Sequence, residues 1–246
     1  QKFIKFLRDI TIDKYKFYAI SSEFFLEPIK KQYARNHDEI IVMPEARCDG
    51  FSVKTQELNA LRSKLEISKD TLVILYMPTH RNEGEDIKAI IRNYEDLLDA
   101  IEGLKNVKLI VNLHFYDRHN ADQLKEHEKV KIIKKDTDMA QYMVLSDLMI
   151  GDYSGVIFDY LYLDKRSLGY VPDYMEYKKN SRDLYFDLNT VYDYVCEDKA
   201  SLKKSLHKIK AEKNLVHKSN FYSIDYQIGD FSKICFEKIT KKINDL

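Results

Sequence analysis

The chain has 246 residues, enough for one large α/β domain or for a domain with part of another. Hydrophobic residues make up 44%, which can supply a core, and seven Gly and four Pro argue against disorder or a fibrous repeat. Forty basic and forty acidic residues cancel, so the basic excess of a nucleic-acid-binding protein is missing and no nucleic-acid partner is expected.

Gln1 is not a natural start, and the sequence reads as part of a longer polypeptide. Residues 15–20 form a short apolar run, expected as a strand, and 27–36 read as a helix with Pro28 allowed in its first turn. A second strand is expected at 40–43, then a polar loop through Glu45, Arg47 and Asp49, then a helix over 53–65. Residues 71–77 (TLVILYM) are continuously apolar, as in a parallel strand buried on both faces. After the polar loop 78–84, Ile87, Ile90, Ile91, Tyr94, Leu97, Leu98 and Ile101 recur at helical spacing, with Gly103 as a stop. A strand over 107–113 ends at His114; a short helix is expected near 121–127 and a strand at 130–133. Asp136 or Thr137 can cap a helix running through Leu145. The very short strand 148–150 meets the turn Gly151-Asp152-Tyr153-Ser154-Gly155, which opens a helix to about Tyr162. A strand at 167–171 follows, and helices are expected at 202–211 and 221–243, the second with a break possible at Gly229.

Strands alternating with helices imply a parallel, doubly wound, Rossmann-like α/β sheet, in which ligands bind beyond the carboxyl ends of the strands. Three polar clusters fall at such ends: Thr79-His80-Arg81, His114, and Asp152-Tyr153-Ser154-Gly155. The last can bind phosphate through helix amides and the Ser154 hydroxyl, or can be ordinary N-capping by Asp152 or Ser154. His114 can hold a phosphate oxygen or move a proton, or can be a hydrogen-bonded structural group. Arg81 can grip a diphosphate as a fork, or can be a solvated loop charge. His119 lies five residues past His114, but no carboxylate pattern completes a metal site, so none is expected. Glu176 and Tyr177 read as surface groups. Cys48, Cys196 and Cys235 lie far apart without metal-ligand spacing and are expected as reduced thiols. Nothing approaches a transmembrane span or a signal peptide.

Five segments, taken together, resemble the CDP-glycerol glycerophosphotransferases. The run from Tyr142 through Ser146-Asp147 and Gly151-Asp152-Tyr153-Ser154-Gly155 to Phe158-Asp159-Tyr160 is similar to the family's Ser-Asp, short strand, Thr-Asp-Tyr-Ser-Ser and Phe-Asp signature. Residues 170–177 with 182–187 fit its continuation, and Pro78-Thr79-His80-Arg81 resembles its Pro-Thr-(aromatic)-Arg element. His114 stands where the family has His-Pro, and Pro44-Glu45-Ala46-Arg47-Cys48-Asp49 resembles its Gly-x-Pro-Arg-x-Asp loop. Phe115 replaces the Pro, Gly155 the second Ser, Gly151 the Thr, and Lys165-Arg166-Ser167 a Lys-Pro, departures that bear on donor preference more than on fold.

The resemblance implies the C-terminal half of a GT-B fold: residues 1–40 as the tail of an N-terminal domain, 41–220 as the donor-binding domain, and 221–246 as a helix packing back. It implies transfer of glycerol phosphate from CDP-glycerol to a growing polyol-phosphate chain, of teichoic-acid or capsular type, with release of CMP. It assigns catalysis to His114 and donor binding to Thr79, Arg81, Arg47, Asp152, Ser154 and Gly155. The base lies in a His-Gly-Thr motif that this sequence does not contain, so the chain alone is expected to be inactive. No cofactor is implied, and a divalent-cation requirement is left open. A lipid-linked acceptor implies peripheral contact with the inner face of the cell membrane, through the Lys-rich stretch 199–213 if that is not simply a solvated face. A transferase using CDP-ribitol or a nucleotide sugar, and a non-catalytic nucleotide-binding module, remain as alternatives.

Overall fold

A computed structural model of the chain describes residues 16–33, 36–80, 86–134, 137–180, 184, 186–212 and 228–245. They fall into two compact units, one within 1–52 and 220–246, the other within 53–219. The sequence boundary drawn at residue 40 thus differs from the break at Ser52 by a strand and a turn. That strand, β2 (Ile40–Val42), pairs in parallel with β1 (Tyr18–Ile20) and so stays with it. The same unit holds helix α1 (Leu26–Tyr33), a 3-10 helix at Ala46–Phe51, and the last helix, numbered α8 below.

The second unit is built on six parallel strands. In chain order these are β3 (Leu72–Tyr76), β4 (Val107–Asn112), β5 (Val130–Ile133), β6 (Leu148–Gly151), β7 (Arg166–Tyr170) and β8 (Tyr194–Cys196). Their spatial order is β5-β4-β3-β6-β7-β8, so the chain winds outward one way from β3 and the other way from β6. This is the doubly wound α/β fold the sequence implies, and its switch point lies between β3 and β6.

The apolar run of β3 is buried along its whole length. Leu72, Ile74 and Tyr76 face a core shared with Ile90, Tyr94, Leu97 and Ile101 of α3 (Asp86–Glu102) and with Leu202, Leu206 and Ile209 of α7 (Lys199–Ala211). Val73 and Leu75, at 0% exposure, point to the opposite face, as the period of two requires. That face is covered by α4 (Met139–Leu145), which packs against β3 and against α2 (Thr55–Lys64). Each large apolar side chain buried here contributes about 1.5–3 kcal/mol, so α3 and β3 together set much of the unit's stability.

Several expected elements shift. The helix placed at 121–127 is a 3-10 helix at Phe115–Gln123, begun by His114, whose ring accepts from the Tyr116 amide at 3.4 Å. The start of α4 is capped by Asp138, which accepts from Ala140 N at 3.0 Å, and not by Thr137; Asp136 lies outside the described residues. In the first unit α8 (Phe231–Asn244) begins only after Gly229, whose φ of +103° lies where other residues are strained. The Asp49 carboxylate takes the first amides of α8, Phe231 N at 2.7 Å and Ser232 N at 2.8 Å. Residues 221–227 of that expected helix lie outside the described residues. Strand β8 and helix α6 (Tyr174–Asn180) have no counterpart in the sequence reading.

Tyr192, just before β8, lies across the ends of two strands. Its hydroxyl donates to the carbonyl of Asp152 at 3.1 Å. It can do so because Gly151 and Gly169 leave room: a Cβ at Gly151 would stand 2.6 Å from the Tyr192 hydroxyl, and one at Gly169 2.9 Å from its ring. A Gly151→Ala variant is therefore expected to lose about 1–3 kcal/mol of stability. In a Tyr192→Phe background that loss should shrink by about 1 kcal/mol, since the clashing oxygen is gone. Urea unfolding of the four proteins of this cycle measures it; an undiminished loss would show that Tyr192 does not set the need for glycine.

Candidate functional site

At the switch point the carboxyl ends of β3 and β6 are joined by one side chain. Asp152, 2% exposed, accepts from the Thr79 amide at 2.9 and 3.1 Å through its two oxygens. It accepts also from the Thr79 hydroxyl at 2.5 Å and from the Tyr153 amide at 2.6 Å. A buried carboxylate with several donors is stable where an unpaired one is not. Asp152 thereby fixes the loop after β3 to the turn after β6.

Tyr153 anchors the turn from the other side. Its hydroxyl donates to Asp173 at 2.9 Å, and its ring stacks on Tyr177 with centroids 3.9 Å apart. Tyr177 is 5% exposed, which corrects its reading as a surface group. The Asp-Tyr half of the motif is thus consumed by the fold. Ser154 and Gly155 face outward, half-buried and exposed. The Ser154 hydroxyl lies 3.4 Å from the Val156 amide, at the start of the five-residue helix α5 (Val156–Tyr160). Gly155 has an ordinary helical backbone, and a Cβ there would meet nothing within 4 Å. The protein therefore places no demand of its own on a glycine at 155, and the open space is available to a ligand.

The loop after β3 carries His80 next to Thr79, and β4 delivers His114 beside it. The two rings lie 5.4 Å apart between centroids, 27° from parallel. Asp117, on the 3-10 helix that His114 begins, holds His80 Nδ1 through Oδ1 at 2.9 Å. Tyr116 closes the group, 5.3 Å from His114 and 5.4 Å from His80. Phe115 and Tyr116 are exposed large aromatics at 65% and 63%.

The structure therefore brings Thr79, Asp152, Ser154, Gly155 and His114 to one edge of one sheet. Arg81 lies outside the described residues. Arg47 belongs to the first unit, where it pairs with Glu45 at 2.7 Å, and is not among the residues the sheet assembles. The sequence reading placed His80 in one of its polar clusters without giving it a role, and it missed Asp117, the partner that holds it beside His114. The signal for Asp117 was its position three residues after His114, inside one short turn. A groove of about 830 Å³ flanks the outer strand β5 and is lined by residues such as Lys64, Lys108, His127 and Tyr142, but includes none of the candidate catalytic or donor-binding residues.

The Ser-Asp of the family signature also serves the fold. Asp147 accepts from the Val73 amide at 2.8 Å, and Ser146 meets the Tyr160 hydroxyl at 3.1 Å. Lys165 caps α4, donating to the carbonyls of Val144 at 2.5 Å and Ser146 at 2.7 Å; burial lowers its pKa to about 8. Much of the lysine-rich face of α7 is engaged likewise. Lys199 pairs with Asp99, Lys208 sits over the Tyr194 ring, and Lys210 donates to the Asn106 carbonyl at 2.8 Å. No helix among the described residues is long and apolar enough to cross a membrane.

The profile of the CDP-Glycerol:Poly(glycerophosphate) glycerophosphotransferase family matches residues 4–236. The chain belongs to this family. It is 30% identical over 189 residues to a teichoic acid poly(glycerol phosphate) polymerase of Bacillus spizizenii, covering 74% of this chain and 45% of that protein. A teichoic acid ribitol-phosphate primase of the same organism is 33% identical over 115 residues, 46% of this chain and 29% of the primase. Among solved structures, the wall teichoic acid polymerase TagF matches with a TM-score of 0.72 over 96% of this chain and 60% of that one. At 20% identity that likeness shows the GT-B-type fold. The chain thus spans about half the length of these glycerophosphotransferase polymerases.

Within this family's signature, Asp152 is the residue whose loss should be felt first in the fold. Asp152→Asn replaces an acceptor oxygen with an N–H₂ that faces the Thr79 amide. It is expected to cost about 1.5–3 kcal/mol, the range of hydrogen bonds to charged groups. Thr79→Val, which removes one donor, should cost about 1 kcal/mol. Urea unfolding checks both; an Asp152→Asn protein as stable as the parent would refute the positioning role.

Proposed function

We propose that the sheet edge at Thr79, His114 and Ser154–Gly155 is the donor site of a CDP-glycerol glycerophosphotransferase. A hydroxyl of a growing polyol-phosphate chain attacks the β-phosphorus of CDP-glycerol. The new oxygen–phosphorus bond forms as the bond to the bridging oxygen breaks, CMP leaves with that oxygen, and the hydroxyl proton passes to a base outside this chain. What carries this reading is the convergence of these residues at the switch point of a doubly wound sheet, in a chain of this family. A diphosphate there meets the Ser154 hydroxyl and the open space at Gly155, while His114 can hold a phosphate oxygen or protonate the departing CMP. Arg81 and Arg47 are assigned to the donor by the family resemblance. The lone chain, lacking the base, should bind donor but not turn it over.

Similarity to a ribitol-phosphate primase keeps CDP-ribitol as the second donor. The acceptor reading places the enzyme at the inner face of the cell membrane as a peripheral protein. Because Lys199, Lys208 and Lys210 are engaged within the fold, α7 offers such a surface only through Lys203 and Lys204.

Calorimetric titration of the chain with CDP-glycerol, CDP-ribitol, CMP and UDP-GlcNAc tests the proposal. Saturable binding of the cytidine ligands is expected, weakened about tenfold in Ser154→Ala, the loss of one hydrogen bond to a charged group. In an enzyme that carries this chain together with the base, His114→Ala should lower turnover by about 10²-fold or more. Preference for the uridine ligand, or no affinity for any cytidine nucleotide, would overturn the donor assignment.

A further inference from the structure

The carboxylate of Asp117 is 6% exposed, yet only one of its oxygens has a partner. Oδ1 meets His80 Nδ1, while Oδ2 is buried with none. A half-satisfied buried carboxylate is costly, and a second imidazole, His114, stands beside the pair. One donor atom from each of His80, His114 and Asp117 lies within 4.8 Å of the others. We propose that these three residues form a binding site for a divalent transition-metal ion of the zinc type.

Two imidazoles and one carboxylate are the donor set that suits Zn²⁺, Co²⁺ or Mn²⁺, whereas Mg²⁺ prefers a shell of oxygens. Tetrahedral bonds of about 2.0–2.1 Å place donors roughly 3.3 Å apart. His80 Nδ1 and Asp117 Oδ1, at 2.9 Å, already stand near that spacing. The ion takes the place of the proton they share and neutralises the buried carboxylate. The third ligand must close the remaining distance. His114 is exposed and can rotate to do so, since its ring rests against those of His80 and Tyr116 and is otherwise held by a long 3.4 Å contact from the Tyr116 amide. His80 and His114 follow the adjacent strands β3 and β4, and Asp117 sits within one turn of His114, so the frame is rigid.

The cluster differs from the pair the sequence suggested, His114 with His119, and replaces the expectation of no metal site. Three protein ligands leave outward positions for water or for phosphate oxygens, the arrangement of a working and not a purely structural ion. That the open positions would meet a donor diphosphate rests on the donor-site reading; binding of the ion does not.

The test titrates the chelator-treated chain with Co²⁺, without nucleotide, following visible absorption, and then displaces Co²⁺ with Zn²⁺. One equivalent is expected, without the sulfur charge-transfer band that binding at Cys48, Cys196 or Cys235 would give. His80→Ala and Asp117→Asn, checked for folding by circular dichroism, should each weaken binding by roughly 100-fold, at least the effect of losing an outer partner. His119→Ala should leave it unchanged. Absence of stoichiometric binding, or binding that survives both substitutions, overturns the proposal. Cytidine nucleotide affinity measured in chelator separates the two readings: its persistence in a chain that binds no Co²⁺ removes the metal and keeps the donor site.

Discussion

The carboxylate of Asp152 accepts from three donors in a place with almost no water, and the geometry of the candidate site depends on it. A parallel sheet leaves a crevice where its winding reverses, and the two strands flanking that crevice have no covalent link nearby. Here the link is made by side chain. The loop leaving β3 is held through the amide and hydroxyl of Thr79, and the turn leaving β6 through the amide of Tyr153. Tyr192 adds a hold on the Asp152 carbonyl from the far side of β7. Because these groups spend their polar atoms on each other, the neighbours Ser154, Gly155 and His80 are left to face outward on a fixed frame. On the proposed donor-site reading, a phosphate would meet a frame already set by the fold.

That division of labour was only partly legible in the sequence. The continuous apolar run of β3 and the 3.6-residue rhythm of α3 identify themselves, because burial on both faces and on one face leave distinct patterns. The order of elements then gives the winding, and the winding gives the edge on which Thr79, His114 and Ser154 meet. What the sequence could not separate is which members of a motif face a ligand and which serve the frame. Asp152 and Tyr153 read like Ser154, yet the first two are turned inward by partners 20 to 73 residues away. Strand β8 has three residues and α6 begins beside Pro172, so neither has the length for a period to show. The pairing of His80 with Asp117 spans 37 residues across two loops and leaves no local trace.

The departures from the family pattern acquire physical meaning in the same frame. By the resemblance Gly151 stands in place of the signature's Thr, and Tyr192 occupies the space that a side chain there would need. By the same resemblance His80 stands at the aromatic position of the Pro-Thr-(aromatic)-Arg element. It keeps a flat ring beside His114 but adds a nitrogen, and that nitrogen is bound to a buried carboxylate.

On the proposed function, a cytidine diphosphate donor binds at the carboxyl edge of the sheet, across the switch point. Amide chemical-shift mapping of the isotopically labelled chain with CDP-glycerol is the test. The largest shifts should fall on residues 79–80, 114–117 and 153–156. Shifts concentrated along the groove beside β5, around Lys64, Lys108 and Lys131, would contradict it.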